Sequence, residues 1–137
     1  PQPRQSRQSD VQEIVPMPER VAILGASNKS DRYAYLAQQM LREHGHTALP
    51  VHPTLKEIEG VEVSPSLSAI TEAVDTLTLY VGPAISSKEA AHIMALKPGR
   101  VIFNPGTENP DLQKQLTAAS IPWREACTLV LLRTGQW

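Results

Sequence analysis

Val21-Ala22-Ile23-Leu24-Gly25-Ala26-Ser27-Asn28-Lys29-Ser30-Asp31-Arg32 reads as a buried strand that feeds a short turn of small residues and then a helix. Four apolar residues end at a glycine, which accepts backbone angles closed to other residues, and Ala26 and Ser27 are too small to bar a ligand from the main chain. The helix that follows aims unpaired N–H groups at whatever occupies the turn. These are the parts of a phosphate-binding loop. One glycine stands where the full dinucleotide fingerprint has three, so the loop alone leaves its ligand open.

Outward from this segment the chain alternates strand and helix. Tyr33, Leu36, Ala37, Met40, Leu41 and His44 recur at three- and four-residue spacing, which predicts a helix with one apolar stripe, capped by Ser30 or Asp31 and stopped at Gly45. Thr47 to Val51 is the second strand, closed by His52-Pro53. A connector around Gly60, Val61 and Val63 leads to Ser64-Pro65 and a brief helix through Leu67 and Ile70. Asp75 to Val81 alternates and is β-branched, hence a strand, with Gly82-Pro83 ending it. Ser86 and Glu89 then read as a capping box ahead of Ala90, Ile93 and Met94. Arg100 to Phe103 is the next strand, Asn109-Pro110 caps a helix through Leu112, Leu116 and Ala119, and a last strand runs from about Pro122 to Ala126. Strands separated by helices pair in parallel through right-handed crossovers. The expected fold is therefore a three-layer, Rossmann-like α/β domain with a mostly parallel five-stranded sheet, preceded by a loose arm over residues 1–18. In that arm Val11, Ile14 and Val15 have the spacing of one short helical turn.

The 137 residues make one domain, 19–137, with 41% hydrophobic and 20% charged residues. No apolar run approaches the roughly 20 residues of a membrane span. A formal net charge of −1 without a Lys/Arg cluster gives no footprint for nucleic acid. The single cysteine, Cys127, excludes an internal disulfide, and no secretion signal opens the sequence, so a cytoplasmic setting is expected. The apolar tail Leu129-Val130-Leu131-Leu132 either folds back on the sheet or meets a second subunit as a homo-oligomer.

In such sheets ligands sit beyond the carboxyl ends of the strands, so the turns after Leu24, Val51 and Val81 are expected to converge. An NAD site has an acidic side chain at the end of the second strand. Here that position reads Pro50-Val51-His52-Pro53, followed by Lys56, and no carboxylate appears until Glu57. Pro50 and Val51 offer a surface for adenine, while His52 and Lys56 suit a phosphate on the ribose, which favours coenzyme A or NADP over NAD.

Gly25-Ala26-Ser27 with Arg32 and Tyr35, Pro50-Val51-His52-Pro53, Gly60 with Ser66-Leu67, Asp75 at the central strand and Cys127 after the last one carry a resemblance. The chain is similar to the small cytoplasmic CoA-binding proteins, whose fold resembles the CoA-binding domain of the succinyl-CoA synthetase α subunit. The resemblance spans about Arg20 to Gln136. It implies that Gly25, Ala26, Ser27 and Arg32 hold the pyrophosphate, that Pro50, Val51, His52 and Pro53 with Lys56 frame the adenosine 3′-phosphate end, and that Val81, Gly82 and Pro83 lie against the nucleotide. Two positions depart from the usual pattern: Ala34 replaces a common serine and His52 a common asparagine.

Catalytic signals are weak by comparison. The sequence has no nucleophile elbow, no zinc-protease motif and no pair of carboxylates beyond a strand end. Glu108, the one carboxylate on a ligand-side turn, reads as a helix-dipole partner. His44, His46, His52 and His92 have no Cys or Asp partners at metal-ligand spacing, so no metal site is expected. Cys127 reads as a small buried hydrophobe, with a mixed disulfide to the CoA thiol as the reactive alternative. The expected function is a stand-alone module that binds CoA or an acyl-CoA without chemistry of its own. The alternative is an NADP-linked oxidoreductase or a CoA-transfer enzyme completed by a partner chain that supplies the missing catalytic groups; the resemblance counts against ligase activity, since the synthetase's catalytic histidine lies in a second domain that this sequence is expected to lack.

Overall fold

Arg20–Leu24 forms strand β1 in the computed structural model, which describes residues 17–137. Helix α1 (Tyr33–Glu43), β2 (Thr47–Val51), the short strands β3 (Glu57–Ile58) and β4 (Val61–Glu62) and a 3₁₀ turn at Leu67–Ala69 follow. Next come β5 (Thr76–Leu79), α2 (Pro83–Lys88), α3 (Ala90–Leu96), β6 (Arg100–Phe103), α4 (Pro110–Ala118), β7 (Trp123–Glu125) and α5 (Thr128–Arg133). The arm residues Val11, Ile14 and Val15 lie outside the described residues.

Side chains of β1 alternate between two cores. Ala22 and Leu24 face one with Leu77, Leu79, Val101 and Phe103, while Val21 and Ile23 face the other with Ala34, Leu41 and Leu132. A strand apolar on both faces needs cover on both. Helices α1 and α5 provide it on one side, and α3 and α4 on the other. Every pairing in the five-stranded sheet is parallel, in the order β2-β1-β5-β6-β7, and β3 and β4 form a separate antiparallel pair. Numbered among themselves, the five sheet strands run 2-1-3-4-5, so the chain reverses direction across the sheet between β1 and β5. The three-layer α/β fold read from the sequence is the fold observed.

Local differences from the sequence reading have identifiable causes. Helix α1 is turned by one position: Ala34, Ala37, Gln38 and Leu41 are buried, whereas Tyr33 is 70% and Leu36 38% exposed. Two alanines let the helix approach the sheet closely, and Gln38 donates to the Ile58 carbonyl at 3.0 Å. The cap position is Arg32 rather than Ser30 or Asp31, and no side chain caps this end. Ser30 and Asp31 are used up in the preceding turn, where Arg32 N donates to the Lys29 carbonyl at 3.0 Å.

Gly82-Pro83 begins a helix instead of merely ending a strand, because proline at the first helical position is already set for the helix and lacks an N–H that would go unpaired anyway. Ser86 is thereby buried inside α2, taking a 2.8 Å hydrogen bond from Asn109 Nδ2, and the capping box does not form. Asn109 caps α4 as read, its Oδ1 accepting from Leu112 N at 3.1 Å. The tail folds back as α5, with Leu129, Leu131 and Leu132 buried.

A polar seam fixes α5 to the sheet. Asn104 donates to Thr78 Oγ1 at 2.7 Å and to the Leu79 carbonyl at 2.8 Å, and its Oδ1 accepts from Thr128 N at 2.9 Å. Thr78 and Thr128 share a hydrogen bond of 2.8 Å. Burial of these groups is tolerated because each has partners.

At the opposite end of the sheet, buried His46 accepts a hydrogen bond from Glu19 N through Nδ1 and lies 5.6 Å from the Trp137 ring, itself covered by Arg100. Burial, assisted by His44 and Arg100 and opposed by Glu19, holds this imidazole below its ordinary pKa. A histidine depressed in the folded state contributes stability above its unfolded value of 6.5 and loses it as pH falls through the folded value. Denaturant midpoints are therefore expected to drop as pH falls below 6.5, and His46→Gln should flatten that part of the profile. An unchanged profile in the variant would remove His46 as the cause.

Candidate functional site

Between the carboxyl ends of β1 and β5, where the chain reverses across the sheet, lies a cavity of about 680 Å³. Its walls are Gly25, Ser27, Asn28, Lys29, Asp31 to Ala34, His52, Leu55 and Tyr80. The turn after β1, the first turn of α1 and the loop after β2 thus meet there. Its size is that of a small-molecule site, and its place is the one that doubly wound sheets use for ligands.

Gly25 makes the floor. Its φ is +94°, and a Cβ there would stand 2.8 Å from the Tyr80 carbonyl oxygen and 2.8 Å from Val81 Cγ1. The turn therefore needs glycine twice over, for its backbone angle and for the closeness of the neighbouring strand. Ala26 is buried, and its N–H donates to the Val51 carbonyl at 3.2 Å, so the turn is tied to β2 as well.

The walls supply donors and charge of both signs, Lys29 and Arg32 against Asp31. The uncapped start of α1 leaves first-turn N–H groups without side-chain acceptors. Arg32 and Lys29, both exposed, flank it, and neither makes a salt bridge among the described residues. Ser27 Oγ accepts from Lys29 N at 3.1 Å, which holds the turn open. His52 Nδ1 accepts from Thr54 N at 3.1 Å and Leu55 N at 3.0 Å, so an imidazole nitrogen here plays the part that an asparagine oxygen plays in an Asx turn. With Nδ1 accepting, Nε2 is the ring nitrogen left to carry a proton and donate.

Tyr80 closes the inner side. Burial pushes its hydroxyl far above the ordinary tyrosine pKa. The Thr128 hydroxyl opposes this, nearby Cys127 adds to it and the Thr78 hydroxyl opposes it again. Neither threonine reaches hydrogen-bond geometry with the phenol oxygen. Tyr80 stays a neutral, protonated wall.

Of the residues singled out from sequence, Gly25, Ser27, Arg32 and His52 line the cavity together. Ala26 and Val51 are buried beneath it, and Val81 packs against Gly25. Pro53, Lys56, Gly82 and Pro83 are exposed and lie outside its lining. Asn28, Lys29, Tyr33, Leu55 and Tyr80 line the cavity as well and are not among the site residues read from the sequence. The signal for Lys29 was its place inside the turn; Leu55 and Tyr80 gave none, since their exposure depends on how the loops close.

The surroundings offer little chemistry. Glu108 accepts from Gly106 N at 3.1 Å and is held by its own turn. Cys127 is a free thiol, half-buried at the cap position of α5 and outside the cavity lining. No group of three or more potential metal-ligating side chains occurs among the described residues, and no helix there is long and apolar enough to cross a membrane.

A family model described as "CoA binding domain" matches residues 19–133. An uncharacterized protein known from its crystal structure is 42% identical, with a TM-score of 0.84 over 89% of this chain and 100% of that one. An uncharacterized Bacillus subtilis protein, YneT, is 28% identical over 72 residues, and the match spans 53% of each chain, about half the length of that relative. A dinucleotide-forming acetyl-coenzyme A synthetase of Ca. Korarchaeum cryptofilum shares the fold at 16% identity, with a TM-score of 0.67 over 77% of this chain and 25% of the enzyme.

Gly25→Ala tests the floor of the cavity. Added to the cost of the backbone angle, the contact with Tyr80 and Val81 is expected to lower unfolding free energy by about 2–4 kcal/mol. Denaturation of Gly25→Ala beside Gly60→Ala, whose Cβ meets nothing within 4 Å, separates the close approach from the angle. Equal losses in the two variants would contradict it.

Proposed function

The chain belongs to the CoA-binding domain family, and on that premise we propose that residues 19–137 bind CoA or an acyl-CoA in the cavity between β1 and β5, without catalysing a reaction by themselves. The observation that carries this reading is the uncapped start of α1 in one cavity with Gly25, Lys29 and Arg32. Unpaired N–H groups at a helix start, a backbone exposed by glycine and two cations suit the phosphates of such a ligand. Arg32 is the clamp in this proposal, because a guanidinium matches two phosphate oxygens at once.

The 3′-phosphate end is assigned differently from what the sequence suggested. Lys56 lies outside the cavity lining and His52 spends Nδ1 on its own loop, so Lys29 and the Nε2–H of His52 are the donors proposed for it. Leu55 supplies apolar surface where Pro50 and Val51 were expected to do so, since both of those are buried. With Glu108 held by its turn and Tyr80 fixed as a neutral wall, the groups around the cavity bind and orient. A free cysteine suits a reducing compartment, and the cytoplasm is the setting proposed.

Calorimetric titration with CoA, dephospho-CoA, NADP and NAD is expected to rank CoA first. CoA binding no tighter than NAD would contradict the reading. Arg32→Ala should weaken CoA by about 1.5–3 kcal/mol, the worth of a charged hydrogen bond, with little change in stability because the side chain is exposed. An unchanged dissociation constant would take Arg32 out of the site.

A further inference from the structure

The chain has six aromatic side chains, and five of them pack in its two cores. Phe103 and Trp123 belong to one, and Tyr35, Tyr80 and Trp137 to the other. Tyr33 belongs to neither. It stands 70% exposed at the first position of α1, beside Arg32, and lines the cavity.

Helix spacing alone would have placed this ring on the buried stripe. Ala34 and Ala37 take that role instead, which leaves Tyr33 facing solvent at the mouth of the site. An aromatic side chain is a middling helix former and adds nothing to the uncapped helix end. Its ring does offer a flat apolar face with few rotatable bonds, the kind of surface on which a nucleobase stacks. Leu55 and His52, from the loop after β2, line the same cavity and supply further apolar and aromatic surface.

We infer that Tyr33 is the platform for the ligand's adenine. The inference rests on the CoA reading above and deepens it by dividing the cavity into two parts. Phosphates meet the start of α1 with Arg32 and Lys29, and the base is covered by Tyr33 on one side of them. The pantetheine arm leaves toward Tyr80 and β5 and does not touch the Tyr33 ring.

The test titrates the parent chain, Tyr33→Ala and Tyr33→Phe with CoA, adenosine 3′,5′-bisphosphate and 4′-phosphopantetheine. Tyr33→Ala is expected to weaken CoA and the bisphosphate by about 5- to 150-fold, the span measured for single base–aromatic stacks. Phosphopantetheine should bind that variant as it binds the parent, and Tyr33→Phe should retain parent affinity for all three. Undiminished CoA binding by Tyr33→Ala would overturn the inference. Equal weakening of all three ligands would also overturn it, since the ring would then merely hold the helix end in place. Failure of the parent to bind CoA would remove the CoA reading itself, and the inference with it.

Discussion

One close approach governs this molecule: the backbone of Gly25 lies against the carbonyl of Tyr80 and the side chain of Val81, leaving no room for a Cβ. Because β1 and β5 are neighbours in the sheet, the turn leaving β1 must pass over the end of β5 before α1 can begin. A residue with a side chain would lift that turn away from the sheet. The contact therefore sets the height of the loop, the start of α1 and the depth of the cavity between them. Ala26 N–H, bonded to the Val51 carbonyl, fixes the same turn from the other side.

From that constraint follows a division of labour between the ends of the strands. On the amino-terminal side, Glu19, His46, Thr76 and Arg100 bond to one another, with Trp137 stacked on top. Beneath α5, Asn104, Thr78 and Thr128 satisfy each other. Both clusters tie segments of the chain to the sheet, although Arg100 Nη2 and Trp137 Nε1 in the first are buried without a hydrogen-bond partner. At the carboxyl ends of β1 and β2 a cavity opens instead. There the helix start is left uncapped, Lys29 and Arg32 have no carboxylate partner among the described residues, and the loops form walls instead of contacts. An uncapped helix start, two cations and a glycine-floored turn converge on one cavity there, the combination proposed to bind a phosphate group.

The sheet was legible in the sequence because its signals are local. Four buried residues before Gly25, β-branched alternation at Thr76 to Leu79 and the Asn109-Pro110 cap each specify an element without help from distant parts of the chain. What misled the reading depended on tertiary contact. The face of α1 was decided by how closely Ala34 and Ala37 let it approach the sheet, a matter of size that periodicity does not register. Ser86 looked like a cap, yet Pro83 had already started the helix three residues earlier. For the site, Gly25, Ser27 and Arg32 lie in one continuous segment and were visible together. Leu55 and Tyr80 enter the wall through the closure of separate loops, and Lys56 leaves it for the same reason. His52 was noticed for its charge, whereas its Nδ1 serves as the acceptor that shapes the loop.

The most direct measurement of the central claim is the change in backbone amide shifts of the ¹⁵N-labelled protein as CoA is added. The expected result is a set of large shifts centred on Gly25, Ser27 to Lys29, Asp31 to Ala34, His52, Leu55 and Tyr80, the walls of the cavity between β1 and β5. Shifts centred instead on the groove formed by Pro110, Lys114, Thr117 and Trp123, or no shifts at saturating CoA, would contradict it.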